Sequence, residues 1–504
     1  MTVNDGTLAI TDGGTVSNYR GYIGDADGGV DQVVVSGPGS AWTNTNHLYI
    51  GTVDNSSGVL RIEDGASVSN ASGFIALNSG STGTVTVSGA GSTWMNSSNI
   101  RVGEFGKGSL TVEDGANAST PFGIGLGTTE GAEGTATVTG AGSTLSTAQW
   151  LYLGNNGKAT VTIAGRGEVS GANAVLGIFA NSSGTLNIGA AAGDTATAAG
   201  VLNTPSVQFG DGAGTLVFNH TDTNYVFSTG LQSTGAGTHV VDHIAGTTLL
   251  TGESSGFSGN TTIHGGTLAV NGILGGAVNV QSGGRLGGSG TVGTTTIASG
   301  ATIAPGNSIG KLTLGNYIGS GGTLQVEAVL GDDSSPADLL VVTGDTSGST
   351  IVEVINLGGT GGQTVEGIKF VDVEGASHGA FTLSGHYIFE GEQAIVAGAY
   401  GYRLYQGSTS DPSDGDWYLR SALVAVDPGP DPDPDPEPDP EPDPPSSPAY
   451  RSMRPMPRRC RRSTTSGRCS SAGEPRMGGA AGRGRRPTVR TMGRAARRRH
   501  QPRA

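Results

Sequence analysis

Apolar residues recur along the first 190 positions in pairs that bracket one variable residue. The series is Leu8-Ala9-Ile10, Val33-Val34-Val35, Leu60-Arg61-Ile62, Val85-Thr86-Val87, Leu110-Thr111-Val112, Ala136-Thr137-Val138, Val161-Thr162-Ile163 and Leu186-Asn187-Ile188. Their first residues are 25, 27, 25, 25, 26, 25 and 25 positions apart. An apolar, variable, apolar triplet has the period of two that places its outer residues on one face of a strand and the middle one, here Arg, Thr or Asn, toward water. A second strand follows each triplet at a regular offset, as in Leu48-Tyr49-Ile50, Ile100-Arg101-Val102 and Leu151-Tyr152-Leu153, with Gly, Asn, Asp and Ser turns between. Three short strands and three turns fill about 25 residues, one rung of a right-handed parallel β-helix. At roughly 4.8 Å per rung, 420 residues make a rod on the order of 80 Å long.

Alternate rungs differ. One kind carries Ser36-Gly37-Pro38-Gly39-Ser40-Ala41-Trp42, repeated as Ser88 to Trp94 and Thr139 to Leu145; the other carries Glu63-Asp64-Gly65-Ala66-Ser67-Val68-Ser69 and its equivalents at residues 11–17 and 113–119. Asp-Gly directly after a strand signals a tight turn, because Gly takes positive φ at little cost. Trp42 and Trp94 have two readings: side chains filling the rod interior two rungs apart, which their fixed phase with the strands favours, or an aromatic ligand-binding row. The pattern predicts one continuous parallel β-helix over residues 1 to about 426, with an interior that includes Ile10, Leu60, Val85, Leu110, Val161 and Leu186. Between residues 258 and 330 the rungs shorten, as in Gly266-Thr267-Leu268-Ala269-Val270-Asn271-Gly272.

Composition supports a stacked fold. Of 504 residues 90 are Gly, 35% are hydrophobic and 5% aromatic, too little apolar material for one large globular core but enough for a row per rung. The charge is divided: residues 1 to 448 hold 11 Lys and Arg against 41 Asp and Glu, a net of −30, whereas residues 449 to 504 hold 17 Arg and one Glu, a net of +16. The acidic part argues against nucleic acid as a partner, since phosphate contacts need clustered cations. Both cysteines, Cys460 and Cys469, lie in the basic tail, so neither a disulfide framework nor a thiolate metal site is available before it. No apolar run reaches the 18 residues of a membrane helix. The segment from Met1 to Gly6 has neither a basic nor an apolar signal region and starts inside the repeat, so upstream sequence is expected to be missing.

With the repeats, the blocks Ala337-Asp338-Leu339-Leu340-Val341-Val342-Thr343-Gly344, Phe370-Val371-Asp372-Val373-Glu374-Gly375 and Gly398 to Tyr405 leading to Asp414-Gly415-Asp416-Trp417-Tyr418-Leu419 complete a set. That set resembles pertactin-like autotransporter passengers, and the last block resembles the autochaperone segment that caps their helix before an outer-membrane β-barrel. The resemblance implies an all-β chain divided into Gly-rich β-helix repeats at 1–198, continuing β-helix at 199–336, and a C-terminal cap or autochaperone-like region at 337–426. An acidic Pro-rich linker at 427–448 and an Arg-rich tail at 449–504, both disordered, follow. It further implies display at the cell surface or release, and partners among host or matrix molecules, glycans or sister passengers. The function expected is that of an adhesin, aggregation factor or structural rod; the alternatives are an inert stalk under a missing N-terminal head, or the passenger of a hydrolase-type autotransporter. Neither a signal region nor barrel strands are expected within this sequence.

Chemistry-bearing patterns are few. Gly306-Asn307-Ser308-Ile309-Gly310 matches G-x-S-x-G in form, but a nucleophile elbow needs a helix after the serine and a His and an acid within reach. No helical period follows Ser308, and the resemblance implies a solenoid turn. The eight histidines, His47, His220, His239, His243, His264, His378, His386 and His500, include no metal-binding H-E-x-x-H spacing; His239 and His243 share a strand face and are expected to be solvated or turn residues. Asp25, Asp27 and Asp31 resemble part of a Ca²⁺ loop without its closing Glu and are expected to form an acidic turn. Lys107 and Lys311 follow glycines outside any phosphate-loop pattern. No catalytic, cofactor-binding or metal-binding residue is therefore assigned, and no enzyme activity or cofactor is expected. Exposed rows of Thr, Ser and Asn are equally a hydrogen-bonding surface or plain solvated faces.

The alternating Asp/Glu-Pro run from Asp431 to Pro445 is expected to be extended, because Pro fixes φ and like charges repel. Beyond Pro448 the composition changes to Arg, Pro, Gly and Ala with no alternating strands. Two readings stand: an out-of-frame translation of the start of a barrel, favoured because these residues have GC-rich codons and a +16 tail has no evident task beside a −30 rod, or a basic arm for nucleic acid or acidic membrane.

Overall fold

The computed structural model describes residues 1–4, 6–25 and 29–424. The linker, the tail with both cysteines and His500, and Asp27 lie outside the described residues. All regular structure in the described part is β-strand, wound as a parallel solenoid. The triplets stack in register as the constant spacing requires: Leu8 against Val33, Val33 against Leu60, Leu60 against Val85, and on through Leu110, Ala136 and Val161 to Leu186. Each column thus faces its own kind in the next rung, and the rod interior is a continuous apolar ladder in which Ile10, Leu60, Val85, Leu110, Val161 and Leu186 are buried.

Three sheets form the sides of the rod over the first nine rungs. One holds ten strands from Thr2–Val3 to Gly230–Ser233, a second eight short strands from Thr15–Asn18 to Val201–Asn203, and the third the long strands such as Thr82–Ser88. Beyond Ser233 the rungs shorten, and Thr247, Thr267, Arg285 and Thr302 stack at closer sequence intervals.

The alternation of rungs has a hydrogen-bonding cause. Asp12, Asp64 and Asp114 and the glycines after them all have positive φ, which builds the tight turn. The hydroxyls of Ser40, Ser92 and Ser143 from the following rung accept the N–H groups of Gly13, Gly65 and Gly115 at 3.1, 2.9 and 2.9 Å. One rung type makes the turn and the other satisfies it, which gives the two-rung unit.

Trp42 and Trp94 are fully buried, so the interior reading holds and the ligand row does not. Their indole N–H groups donate to the carboxamides of Asn18 and Asn70, whose own N–H groups donate to Asn44 and Asn96. Each ring fills the space left by a glycine one rung earlier: a Cβ on Gly21 would lie 2.6 Å from Trp42, and one on Gly73 2.3 Å from Trp94. In the third unit both partners change, to Leu145 and Ile124, and both are buried.

Three expectations need correction. Asn187 is buried rather than solvated; the excursion after Gly189 is tied to the neighbouring rungs by Asn219, which donates to the carbonyls of Ala191 and Asp194, and by an antiparallel bridge between Ala164 and Ala199. His239 and His243 are buried, as is His220. The parallel solenoid does not run to residue 426. Trp417–Leu423 pairs antiparallel with both Ile368–Val373 and Tyr400–Gln406, which in turn pairs antiparallel with Glu392–Ala397, so the last rung's open edge is covered by a folded-back sheet. Tyr402, Trp417, Tyr418 and Leu419 are buried there, and the Tyr402 hydroxyl donates to the carbonyl of Gly331 at 2.6 Å.

Candidate binding surface

A solenoid presents its outward residues as columns one rung apart, so any surface site is built from side chains far apart in sequence. In the ten-stranded sheet the middle outward position of successive strands is Tyr22, Tyr49 and Phe74. The rings stack with centroids 5.1 and 5.2 Å apart and planes within 16° and 15°, near the rung spacing. His47 packs edge-on against Tyr49 and Phe74, and the Arg20 guanidinium lies 5.3 Å from the centre of the exposed Tyr19 ring. Burial, and secondarily the charge of Arg20, hold the His47 imidazole below its ordinary range; burial also raises the Tyr49 phenol. Both groups are therefore neutral at pH 7, and the column offers apolar ring surface with polar rims.

Rows of hydroxyl and amide side chains flank this column. On the short-strand sheet Ser69 donates to Thr43 at 3.3 Å, and Asn117 donates to Thr144. Lys107 pairs with Glu133 at 3.1 Å along the long-strand face.

Ser308 lies on a groove of about 500 Å³ whose floor includes Leu249, Ala269, Ala304 and Pro305. Its nearby acid is Asp338, which is buried and accepts the N–H groups of Gly310 and Glu327, both at 2.8 Å. Burial raises this carboxyl and those two N–H groups oppose the rise. No histidine lines the groove, so Ser308 and Asp338 have no base between them. Arg285 reaches Gln325 at 2.8 Å, and Gln325 in turn reaches Glu353 at 3.0 Å.

The histidines serve the interior. Nδ1 of His239 meets Ser233 Oγ at 2.8 Å and its Nε2 donates to the Gly210 carbonyl at 2.8 Å. His243 donates from Nδ1 to the Gly265 carbonyl at 2.9 Å, and His220 and His243 share the buried Thr248 hydroxyl at 2.8 and 3.2 Å. Asp25 accepts from Thr52 at 2.6 Å, and Asp31 is buried and accepts the Gly6 N–H at 3.2 Å. Among the described residues no group of three or more His, Cys, Asp or Glu converges as a metal site. Sequence reasoning missed the stacked column, although Tyr22, Tyr49 and Phe74 already share one phase of the repeat.

Residues 291–404 match the family model described as Autochaperone Domain Type 1. The chain is 41% identical over 318 residues to the adhesin BmaC autotransporter of Brucella suis biovar 1 (strain 1330), which covers 62% of this chain and 9% of that protein. It is 40% identical over 117 residues to the autotransporter adhesin AIDA-I of Escherichia coli, 23% of this chain and 8% of that protein, and 38% identical over 110 residues to the probable autotransporter YfaL of Escherichia coli (strain K12). The chain thus spans less than a tenth of the length of these relatives. Among the described residues no helix is long and apolar enough to cross a membrane, which says nothing of strands that could. The Gly-rich parallel rod and its antiparallel cap, the autochaperone match at residues 291–404 and the similarity to autotransporter adhesins together support an autotransporter passenger domain.

Proposed function

We propose that this passenger is a non-catalytic adhesin that binds through the sides of its rod. The observation that carries the reading is the kinship with two autotransporters named as adhesins, BmaC and AIDA-I. The half-buried ring column and its hydroxyl-rich flanks supply a surface of the right kind, since ring edges and short polar side chains contact a partner at low conformational cost. Partners are host or matrix surface molecules or sister passengers, met at the cell surface or after release. The division into repeats (1–198), continuing solenoid (199–336) and cap (337–426) is proposed with it, the last acting as the folding template for the rest.

The test is to couple the full chain to inert beads and count beads retained on cultured epithelial cells, on matrix-coated plates and on each other. Retention that free chain competes away supports the reading. Beads no stickier than albumin-coated controls on every surface would replace it with an inert stalk.

A further inference from the structure

In the ten-stranded sheet the rungs on either side carry two outward side chains around one buried residue, Asn99 and Arg101 about Ile100 and Trp150 and Tyr152 about Leu151, as do His47 and Tyr49 about Leu48. The rung Ile124–Leu126 breaks the rule. It sits between those of Ile100 and Leu151 in the stack, and Gly123 and Gly125 occupy both outward places. One rung of side chains is missing; the Arg101 side chain lies across the buried Gly125, and a slot of about 100 Å³ is left beside it over Gly123. One wall is Asn99 and Arg101; the other is Trp150 and Tyr152, whose rings are parallel within 3° with centroids 6.1 Å apart.

We infer that this slot binds a single pyranose ring of a neutral glycan, entering edge-on at Gly123 and displacing the free end of Arg101 from Gly125. The inference rests on the adhesive reading above and names its ligand class. The size follows from the stacking: the strands on either side are two rungs apart, roughly 9.6 Å, which is the space of one ring with its contacts. Tyr49 fills the equivalent place between Tyr22 and Phe74 a few rungs away, at 5.1 and 5.2 Å. The volume is well under the roughly 300–1,000 Å³ that encloses a drug-sized ligand and under the roughly 150 Å³ of a benzene-sized cavity, so only one edge of a ring is enclosed and the rest of the glycan stays outside.

The chemistry follows from the unlike walls. Trp150 and Tyr152 offer apolar ring surface, to which the C–H face of a sugar is complementary. Opposite, Arg101 leans over Gly125, with Nη1 2.9 Å from where a Cβ would stand, and among the described residues no carboxylate pairs with it. Gln149 lines the same mouth and is exposed. An aromatic side chain from a protein partner would bury these donors without replacing their water, whereas vicinal hydroxyls accept from them. A polyanionic glycan is disfavoured by the −30 charge of residues 1–448.

The experiment is a fluorescence titration of the full chain. Trp42, Trp94 and Trp417 are buried and Trp150 is half-exposed, so a surface ligand at the slot reports through Trp150. The probes are methyl glucoside, methyl galactoside and methyl mannoside, their oligosaccharides, and N-acetyl-tyrosine amide. At least one sugar series should give a saturable change, in the millimolar range for a single ring and tighter for longer chains. Gly125→Tyr rebuilds the missing ring and should abolish it; the new Cβ meets only the free end of Arg101 and Gly125 does not have positive φ, so the rod accepts the residue. Arg101→Gln should weaken binding about tenfold. Absence of a saturable response to any sugar, an unchanged titration in Gly125→Tyr with unaltered circular dichroism, or a stronger response to the tyrosine amide than to every sugar overturns the inference. Running Gly125→Tyr in the bead assay separates the two claims. Full adhesion by the variant removes the slot from adhesion and leaves the adhesive reading standing, while sugar binding without adhesion by the parent chain removes the adhesive reading alone.

Discussion

His220 and His243 share the buried hydroxyl of Thr248, and an added proton would either disrupt that shared bond or stand without an acceptor. The Gly265 carbonyl can only accept, so His243 donates from Nδ1 and its Nε2 accepts from Thr248; His220 must then donate to Thr248 from its own Nε2. Nδ1 of His220 is buried without a partner. Burial pushes the His243 imidazole down to about 4, the charge of a protonated His220 would push it the same way, and burial lowers His220 as well. Between the ordinary value of about 6.5 and 4, the unfolded chain therefore binds more protons than the folded one, and stability must rise with pH in that window. The contribution is complete above about pH 6.5 and is lost as the pH falls toward 4. At about 1.4 kcal/mol per unit, His243 alone accounts for about 3 kcal/mol, of which about 2.5 kcal/mol is gone at pH 4.5.

Urea unfolding followed by circular dichroism at pH 7.5 and 4.5 measures this. With a slope of about 2–3 kcal/mol per molar, the midpoint should fall by roughly 1 M on acidification. His243→Gln, which cannot titrate, should be less stable at pH 7.5 and should lose most of that pH dependence. Carboxylates do not imitate the effect: Asp333 and Asp414, held low by N–H donors, lose their contribution only below about 3.8, and the raised Asp338 acts with the opposite sign. The same midpoint change in parent and His243→Gln would refute the reasoning.

Three further outcomes are expected. Gly73→Ile should strongly destabilise the chain because its Cβ has no room beside Trp94, Trp94→Leu should cost about 2–4 kcal/mol through the cavity it leaves, and the double variant, which reproduces Ile124 with Leu145, should recover most of the loss in a thermal melt. Asp416→Asn should loosen the cap, because Asp416 joins Lys369 at 2.5 Å and accepts the Val373 N–H at 2.8 Å; faster hydrogen exchange in residues 368–373 and 417–423 than in residues 82–138 would register it. Limited proteolysis should leave a resistant C-terminal fragment that contains residues 337–421, since the antiparallel sheet protects the final edge; an N-terminal half that outlasts it contradicts this.

The repeat was legible because each rung repeats one physical requirement. A period near 25 with apolar residues two apart allows only stacking in register, so the interior and the column phases could be read from Leu8 to Leu186 before any coordinates. What escaped was set by neighbours in space rather than in sequence. The exchange of Trp94 and Gly73 for Leu145 and Ile124 conserves volume between rungs, and no single repeat shows it. His239 and His243 look solvated when only their strand spacing is considered, because the carbonyls that accept from them, Gly210 and Gly265, are 29 and 22 residues away. The cap was marked only by its resemblance to an autochaperone segment; alternation alone ran the rod through it, because direction of pairing is not encoded by alternation. The Gly123–Gly125 slot was hidden for a related reason: in a chain with 90 glycines two more carry no signal, and they become a site only when the ladder places them between Arg101 and Tyr152. In a solenoid, then, departures from the repeat at one outward column are the places where function can be sought, since uniform rungs bury the core equally well whatever the outward residue is.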